Sequence, residues 1–189
     1  KNVQCQTTKD TLIIRADWIK PIGILSHGMK EYYVSKDLII LDYLPLKGFP
    51  IVKVKGIYNV TKSPEPGKVW RQDDLKAAVE ILVKLNQMDE ELYPGNPLLY
   101  EIEKIDVTNY AGRKNSNSPH IVLYAKDGTK IIWGAEYDSW QRYMEVSDEE
   151  KLTKLYGFYE EFGTLQGLAR QIRLHEPQDR IPLPTDRYN

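Results

Sequence analysis

Clustered carboxylates are the residues of this 189-residue chain that could most readily carry chemistry. Two carboxylates roughly 5 to 10 Å apart across a cleft can hydrolyse a glycosidic bond. Three of the clusters fall at the ends of predicted helices, where capping and hydration account for them, and the fourth falls on a solvent-facing side of a predicted helix. We therefore favour a structural role for all four. They are Asp73-Asp74, Asp89-Glu90-Glu91, Asp148-Glu149-Glu150 and Glu160-Glu161.

The other residue types that could carry chemistry are scattered. His27, His120 and His175 are far apart, and none has a second ligand at the spacing of a helical zinc site, so we expect each at the surface or on an edge strand. Cys5 has no neighbouring base, and no Gly-x-Ser-x-Gly sequence occurs. The glycines of segment 163–167 come without the lysine of a phosphate-binding loop. These patterns predict a protein that is not an enzyme and that holds no metal or other cofactor.

Composition and charge argue against several classes of protein. The net charge is −1 and the two signs are interspersed, whereas a nucleic-acid-binding protein normally carries a basic patch. No apolar run approaches the roughly 20 residues that cross a bilayer, and the N-terminus does not follow the pattern of a signal peptide. We expect either a soluble domain or one whose membrane anchor lies outside this sequence. The single cysteine cannot form an internal disulfide, so the fold depends on packing.

The order of elements predicts an α+β fold. Short β-rich segments separated by glycine and proline suggest a meander over residues 11–15, 22–25, 31–34, 38–41 and 51–54. From Asp73 the apolar residues recur at helical spacing, and this helix should end before Pro94. Further strands are expected at 102–110, 120–125 and 130–133. The chain thus predicts a largely antiparallel sheet with two amphipathic helices.

Two local signals predict a hairpin and a helix in the second half of the chain. Asp127-Gly128 between two β-rich runs predicts a hairpin with a type I′ turn. Apolar residues on both faces of the preceding strand predict that it is central in the sheet or covered on both sides. Ser147 and Glu150 form a capping box before a helix that should end at Gly163. A last strand is expected within residues 169–174. Because that strand could lie at an open edge of the sheet, it could accept a partner strand; the alternative, that it simply closes the sheet, is left open.

Several segments resemble the FtsQ/DivIB family of bacterial cell-division proteins. Lys20-Pro21-Ile22-Gly23 is similar to the junction between that family's POTRA and β domains, although Ile19-Lys20 replaces its usual Glu-Arg. Gln171-Ile172-Arg173-Leu174 resembles its last strand, with glutamine in place of the usual aspartate. The resemblance spans about residues 11–174, and residues 135–146 are an insertion. Its other matching segments are 31–40, 44–56, 121–134 and 151–159.

The resemblance implies a division of the chain and a function. Residues 1–20 would end a truncated POTRA-like domain, 21–176 would form the FtsQ-like β domain, and 177–189 would be a flexible tail. The protein would be a non-catalytic scaffold of the division machinery, anchored in the inner membrane by a single helix upstream, with this domain in the periplasm. Its partners would be division proteins of the FtsB and FtsL type, and no nucleic acid. They would add a strand at Gln171, Ile172, Arg173 and Leu174.

An alternative function belongs to another class. The insertion contains Tyr137, Trp140 and Tyr143, whose aromatic rings could contact a sugar or another small ligand. The chain would then be a secreted or periplasmic domain that binds carbohydrate or a small ligand. A deep pocket lined by aromatic residues would favour this alternative.

Overall fold

A computed structural model of the chain contains one large β-sheet, one small β-sheet and two long α-helices. It describes residues 3–16, 18–45, 48, 50–58 and 64–177. The helices are Asp73–Leu92 (α1) and Asp148–Phe162 (α2), and single 3-10 turns occupy Leu98–Glu101, Tyr110–Gly112 and Trp140–Tyr143. The strands are Val3–Thr7 (β1), Leu12–Ala16 (β2), Pro21–His27 (β3), Lys30–Ser35 (β4), Ile40–Asp42 (β5), Val52–Lys55 (β6), Ile102–Asp106 (β7), Ile121–Ala125 (β8), Lys130–Gly134 (β9) and Gln171–Arg173 (β10).

The large sheet has the strand order β10-β9-β8-β7-β6-β3-β4-β5. Four of its neighbouring pairs are antiparallel, and three are parallel, namely β3 with β6, β6 with β7 and β9 with β10. The predicted α+β fold with a mostly antiparallel sheet and two helices is confirmed. The predicted meander is wrong at its first and last strands, because β2 pairs with β1 in the small sheet and β6 does not continue from β5. Instead of following β5, β6 returns to the other side of β3, where Val52 and Val54 join the core together with α1.

Both helices belong to a single core built on one face of the sheet. Leu75, Leu82 and Leu85 of α1 are fully buried at the helical spacing that the sequence predicts. The two helices touch each other, because the Tyr156 hydroxyl of α2 donates a hydrogen bond to the Leu85 carbonyl oxygen at 2.8 Å. Strand residues such as Ile105 lie in the same apolar cluster. As predicted, α1 ends before Pro94.

The ends of α2 follow the sequence signals in part. Ser147 Oγ accepts a hydrogen bond from the Glu150 amide at 3.1 Å, which confirms one half of the capping box. The Glu150 carboxylate pairs with Lys154 at 3.0 Å, one turn further along the helix. Gly163 closes the helix with φ +70°, a conformation that glycine adopts without strain.

The hairpin at Asp127-Gly128 is confirmed, but its turn differs from the predicted type I′. Gly128 alone in the loop has a positive φ, +89°. Its amide donates to the Ala125 carbonyl oxygen at 2.9 Å, and the Ala125 amide donates to the Thr129 carbonyl oxygen at 3.0 Å. This is a three-residue loop with glycine in the left-handed position. The Asp127 carboxylate accepts from the Thr129 amide at 2.9 Å, and this bond favours the longer loop. The preceding strand β8 is central, as predicted.

The small sheet is a two-stranded ribbon that pairs with no other strand of the described chain. β1 and β2 are antiparallel in a register that runs from Val3 opposite Ala16 to Thr7 opposite Leu12. Leu12 and Ile14 are more than half exposed. The assignment of residues 1–20 to a POTRA-like domain stays a prediction. The predicted flexible tail lies outside the described residues apart from Pro177. Among the described residues, no helix is long and apolar enough to span a bilayer.

Candidate functional site

β10 forms one edge of the large sheet. It follows α2 and returns to pair in parallel with β9, in a register that sets Gln171 opposite Lys130, Ile172 opposite Ile131 and Arg173 opposite Ile132. Within the described residues, no strand lies on the other side of β10. The last strand expected from the sequence therefore exists and has an open edge among the residues that the structure describes.

The backbone of β10 has one bonded side and one open side. The Lys130 amide donates to the Arg170 carbonyl oxygen at 3.1 Å, and the Leu174 amide donates to the Ile132 carbonyl oxygen at 3.0 Å. In a parallel ladder, alternate residues of a strand face the neighbouring strand. Ile172 therefore directs its amide and carbonyl groups to β9, whereas Gln171 and Arg173 direct theirs to the open side.

The four predicted binding residues divide between two faces of the sheet. Ile172 and Leu174 are about 1% exposed and belong to the core. Gln171 and Arg173 lie on the opposite face. With its amide oxygen turned to the guanidinium, Gln171 accepts from Arg173 Nε at 2.8 Å, and Arg173 Nη1 also lies 3.2 Å from a Glu176 oxygen. Gln171, which occupies the position where FtsQ/DivIB proteins usually have aspartate, is thus the partner of Arg173 within the strand.

The opposite edge of the sheet, at β5, is covered by a loop. The Ile40 amide donates to the Lys68 carbonyl oxygen at 2.9 Å, and the Gly67 amide donates to the Ile40 carbonyl oxygen at 2.8 Å. A bridge between Ile39 and Val69 extends this pairing. Natural sheets commonly protect their edges in this way. Of the two edges, β10 is thus the one that no other described segment covers.

A polar clamp holds the segment that leads into β10. The Asp127 carboxylate accepts hydrogen bonds from the Thr129 amide, the Thr129 hydroxyl and the Gly167 amide, the last at 2.5 Å. Thr129 Oγ1 also lies 3.1 Å from the Ala169 carbonyl oxygen, so that its single proton is shared between this oxygen and the Asp127 carboxylate. Burial raises the pKa of Asp127, but these hydrogen bonds outweigh burial and lower that pKa below its usual value. The charged carboxylate thus joins the β8–β9 turn to the start of the edge strand.

Hydrogen bonds hold the segment after β10 near the N-terminal end of α2. The Val146 amide donates to the His175 carbonyl oxygen at 3.2 Å. Lys154 Nζ donates to the Glu176 carbonyl oxygen at 2.9 Å. With Asp127 at one end and these bonds at the other, the three-residue strand is held in an extended form before any partner binds, which lowers the entropy cost of binding.

A buried ion cluster lies beneath this end of the sheet. Lys151 is fully buried, and its Nζ lies 2.8 Å from a Glu145 oxygen, 3.4 Å from an Asp148 oxygen and 5.3 Å from the centre of the Trp133 ring. Burial raises the pKa of Asp148, and hydrogen bonds from the Asp138 amide and the charge of Lys151 oppose that rise. Losing one member of such a cluster leaves an uncompensated buried charge. The Lys151–Asp148 pair has helical spacing, but the sequence carries no signal that it is buried.

His175 borders the same cluster. Burial lowers the pKa of His175, as does the charge of Lys151, while Glu145 and Glu176 act in the opposite direction. Within the described residues, its Nδ1 is buried without a hydrogen-bond partner. The expectation of a surface or edge-strand histidine is wrong at His120, which is 5% exposed and bonds through Nδ1 to Glu136 at 3.0 Å. His120 is buried because a carboxylate compensates its polar ring.

Three of the four carboxylate clusters contain a buried carboxylate, so that the predicted capping and hydration do not account for them fully. Asp74, Asp89 and Asp148 are each almost fully buried. Asp74 pairs with Arg113 at 2.8 Å, and Asp89 accepts from the Leu98 and Leu99 amides and from the Tyr156 hydroxyl. Each of these three carboxylates accepts hydrogen bonds from backbone amides of a loop, and this is why one member of three clusters is buried. Glu160 and Glu161 are exposed, as predicted.

The described residues give limited support for a metal site or for a pocket that binds a small ligand. Among the described residues, no three histidine, cysteine or carboxylate side chains are grouped to hold a metal ion. A cleft of about 360 Å³ beside the start of β10 is lined by the polar turns at 127–129 and 167–170. The insertion's Tyr143 packs edge-on against His120 at 4.6 Å, and Tyr137 lies under Lys84 at 5.8 Å. The ligand-binding alternative stays a prediction.

Comparisons of the chain with protein-family models, with curated proteins and with solved structures found no match.

Proposed function

We propose that this domain is a non-catalytic scaffold that binds a partner protein by adding the partner's strand to β10. The observation that carries the proposal is the direction of the β10 backbone. Gln171 and Arg173 present amide and carbonyl groups on the side where the described residues place no strand, whereas a loop covers the opposite edge of the sheet. Each backbone hydrogen bond with an added strand contributes about 1 kcal/mol net.

The order of elements around the edge supports the comparison with FtsQ/DivIB proteins. The hairpin of β8 and β9 is followed by α2 and then by the last strand, and the segment similar to the junction motif lies at the start of β3, which begins at Pro21. We propose on this resemblance that the chain has the FtsQ-type fold and serves the bacterial division machinery. Its partners would be proteins of the FtsB and FtsL type. The domain would lie in the periplasm, held at the inner membrane by a single upstream helix.

The partner strand would meet a defined set of groups. Its backbone would bond to Gln171 and Arg173, while the side chain of Ile172 stays in the core. Side chains of the partner would alternate between the two faces of the sheet, so that one set lies beside Arg173 and the other beside the end of α2. Affinity would come from the backbone and specificity from these alternate positions.

The decisive variants follow from the direction of each amide. Ile172→Pro would remove a donor that faces β9 and would damage the domain itself. Arg173→Pro removes a donor on the open side and leaves the bonds to β9 in place. Arg173→Ala is the matched control, since it removes the same side chain and keeps the amide.

The experiment is capture of a purified FtsB-type protein from the source organism by the immobilised domain. We expect Arg173→Pro to lower the affinity at least about tenfold and Arg173→Ala to have a much smaller effect, at an unchanged melting temperature for both. Equal capture by wild type and Arg173→Pro would exclude pairing at this edge. Failure of the wild-type domain to capture the FtsB-type protein would contradict the assignment to the division machinery.

A further inference from the structure

The face of the sheet opposite the helices carries a basic surface across β6 to β10. The strand registers align its outward residues in two rows that run across the strands. Neighbouring strands are about 4.8 Å apart, so each row is about 19 Å long. The first row is Lys53, Lys104, Tyr124, Lys130 and Gln171, and the second is Lys55, Asp106, Val122, Ile132 and Arg173. We call these ten residues the lysine face.

Positive charge predominates on the lysine face. Four lysines and one arginine contrast with three carboxylates. These are Asp106, Glu103, which the bulge in β7 places beside the lysine face, and Glu176, which lies 3.2 Å from Arg173. Lys53 pairs with Glu103 at 3.8 Å, and both side chains are about half exposed. Lys55, Lys104 and Lys130 form no ion pair within the part of the chain that the structure describes. The sequence shows no basic patch because the five cations come from four different strands. Only Lys53 and Lys55 share a strand.

The centre of the lysine face is apolar. Lys104 Nζ lies 4.4 Å from the centre of the Tyr124 ring, and Val122 and Ile132 lie side by side in the second row. Tyr124 and Val122 are half-buried. No helix of the described chain packs there, since both helices belong to the core on the other face. A partner on this surface would meet cations around a strip of apolar side chains.

We propose that the lysine face binds an acidic polypeptide segment in which acidic and apolar residues alternate. Charge complementarity selects an anionic partner. The acidic side chain of Glu103 beside Lys53 shows that a carboxylate fits this surface. Val122, which is half-buried, would contact the apolar residues of the segment, whereas Ile132 is only 9% exposed and would lie at the margin of this contact.

The mixed character of the surface favours a polypeptide over other polyanions. A nucleic acid or an anionic membrane would bring negative charge against Asp106 as well as against the lysines. A polypeptide can place an uncharged residue at that position. The twist of a sheet also prevents all five cations from touching one flat bilayer together.

This inference goes beyond the proposed function and does not require pairing at β10. The two surfaces share only Gln171 and Arg173, so variants of Lys55, Lys104 and Lys130 test the lysine face without changing the edge. The control variant reverses three exposed lysines elsewhere on the domain, Lys30, Lys36 and Lys114.

The experiment measures binding of a fluorescent peptide of about twelve residues with alternating glutamate and valine, by anisotropy at low salt. We expect reversal of Lys55, Lys104 and Lys130 to glutamate to weaken binding at least about tenfold, with the control unchanged. Binding to the wild type should also weaken between about 50 and 300 mM salt, because exposed charges are screened. Replacement of the same three lysines by glutamine should give an intermediate loss.

Three results would overturn the inference. The first is equal binding by the wild type and the glutamate variant, which includes the absence of binding to either. The second is tighter binding to oligothymidine, or to vesicles containing phosphatidylglycerol, than to the peptide. The third is loss of peptide binding in Arg173→Pro but not in the lysine variant, which would assign the peptide to the β10 edge and leave the proposed function intact.

Discussion

The carboxylate of Asp127 lies 2.5 Å from the backbone amide of Gly167, forty residues further along the chain. Asp127 belongs to the β8–β9 turn, and Gly167 belongs to the loop between α2 and β10. This bond therefore positions the proposed binding strand from a neighbouring hairpin. The same carboxylate shapes its own turn through Thr129, so that one side chain organises both segments.

Asp127→Asn should loosen the start of β10 without unfolding the hairpin. An amide keeps one acceptor oxygen but loses the charge that strengthens the bonds to Thr129 and Gly167. Because Asp127 is exposed on one side, we expect a loss of about 1 kcal/mol in unfolding free energy, measured with denaturant. The loss should disappear in acid. Because the pKa of Asp127 is lowered in the folded chain, its carboxylate stabilises the fold at pH values above the usual pKa of 3.8, and this contribution is lost as the pH falls through the folded pKa.

Hydrogen exchange locates the effect of Asp127→Asn. The amides of residues 167–173 should exchange faster in the variant, and those of α1 should not. Lys126→Asn changes the neighbouring exposed residue of the same turn and serves as the control. Uniformly faster exchange throughout the domain would contradict a local clamp.

Lys151→Met should be strongly destabilising. The substitution leaves Glu145 and Asp148 without their buried cation, and breaking a buried ion pair in this way costs about 3 to 5 kcal/mol. Lys76→Met, which removes a lysine that is 62% exposed from an ion pair within α1, should cost less than about 0.5 kcal/mol. Thermal unfolding of the two variants measures the difference. Similar melting temperatures for both would show that the buried cluster contributes little.

His175 should make stability depend on pH. Its folded pKa lies below the usual value of 6.5, so between the two values the unfolded chain binds more protons than the folded one. The free energy of unfolding should therefore rise with pH through that window, and this contribution should be complete above about 6.5. His175→Gln should flatten the rise, whereas the control His27→Gln, on β3 and away from the buried ion cluster, should keep it. An unchanged pH profile in His175→Gln would refute the assignment.

Cross-linking from a photo-reactive amino acid compares the accessibility of the two edges of the sheet directly. When placed at Gln171 it should cross-link a partner in cells of the source organism, because this position lies at the open edge. When placed at Leu41, in the strand whose edge is covered by residues 67–70, it should give little product. The two yields are compared by blotting for the tagged domain. Equal cross-linking at both positions would remove the distinction between the edges.

Local patterns in the sequence predict most of the elements but not their long-range partners. The capping residue Ser147, the turn residue Gly128 and the helical spacing from Leu75 onward each act within a few residues, and the structure contains the elements that they predict. The alternation in β6 shows that Val52 and Val54 are buried. It cannot show that the strand lies between β3 and β7, because that choice depends on the packing of α1.

The buried charges and the lysine face could not be predicted for the same reason. Asp74 is buried because Arg113, distant in sequence, reaches it. Lys104 and Lys130 become neighbours on one face only after β8 pairs with both of their strands. The edge position of the last strand was left open by the sequence, since the same six residues could equally have closed the sheet.

The strand order described above also has a consequence for the rate and sequence of folding. Strands β7, β8 and β9 follow one another closely in sequence and pair in that order, whereas β10 reaches β9 only after the segment that contains α2. Contacts between segments close in sequence form faster than distant ones. We expect β7, β8 and β9 to acquire hydrogen-exchange protection first in pulse-labelled refolding. The binding edge would then be completed when β10 and α2 join strands that have already paired.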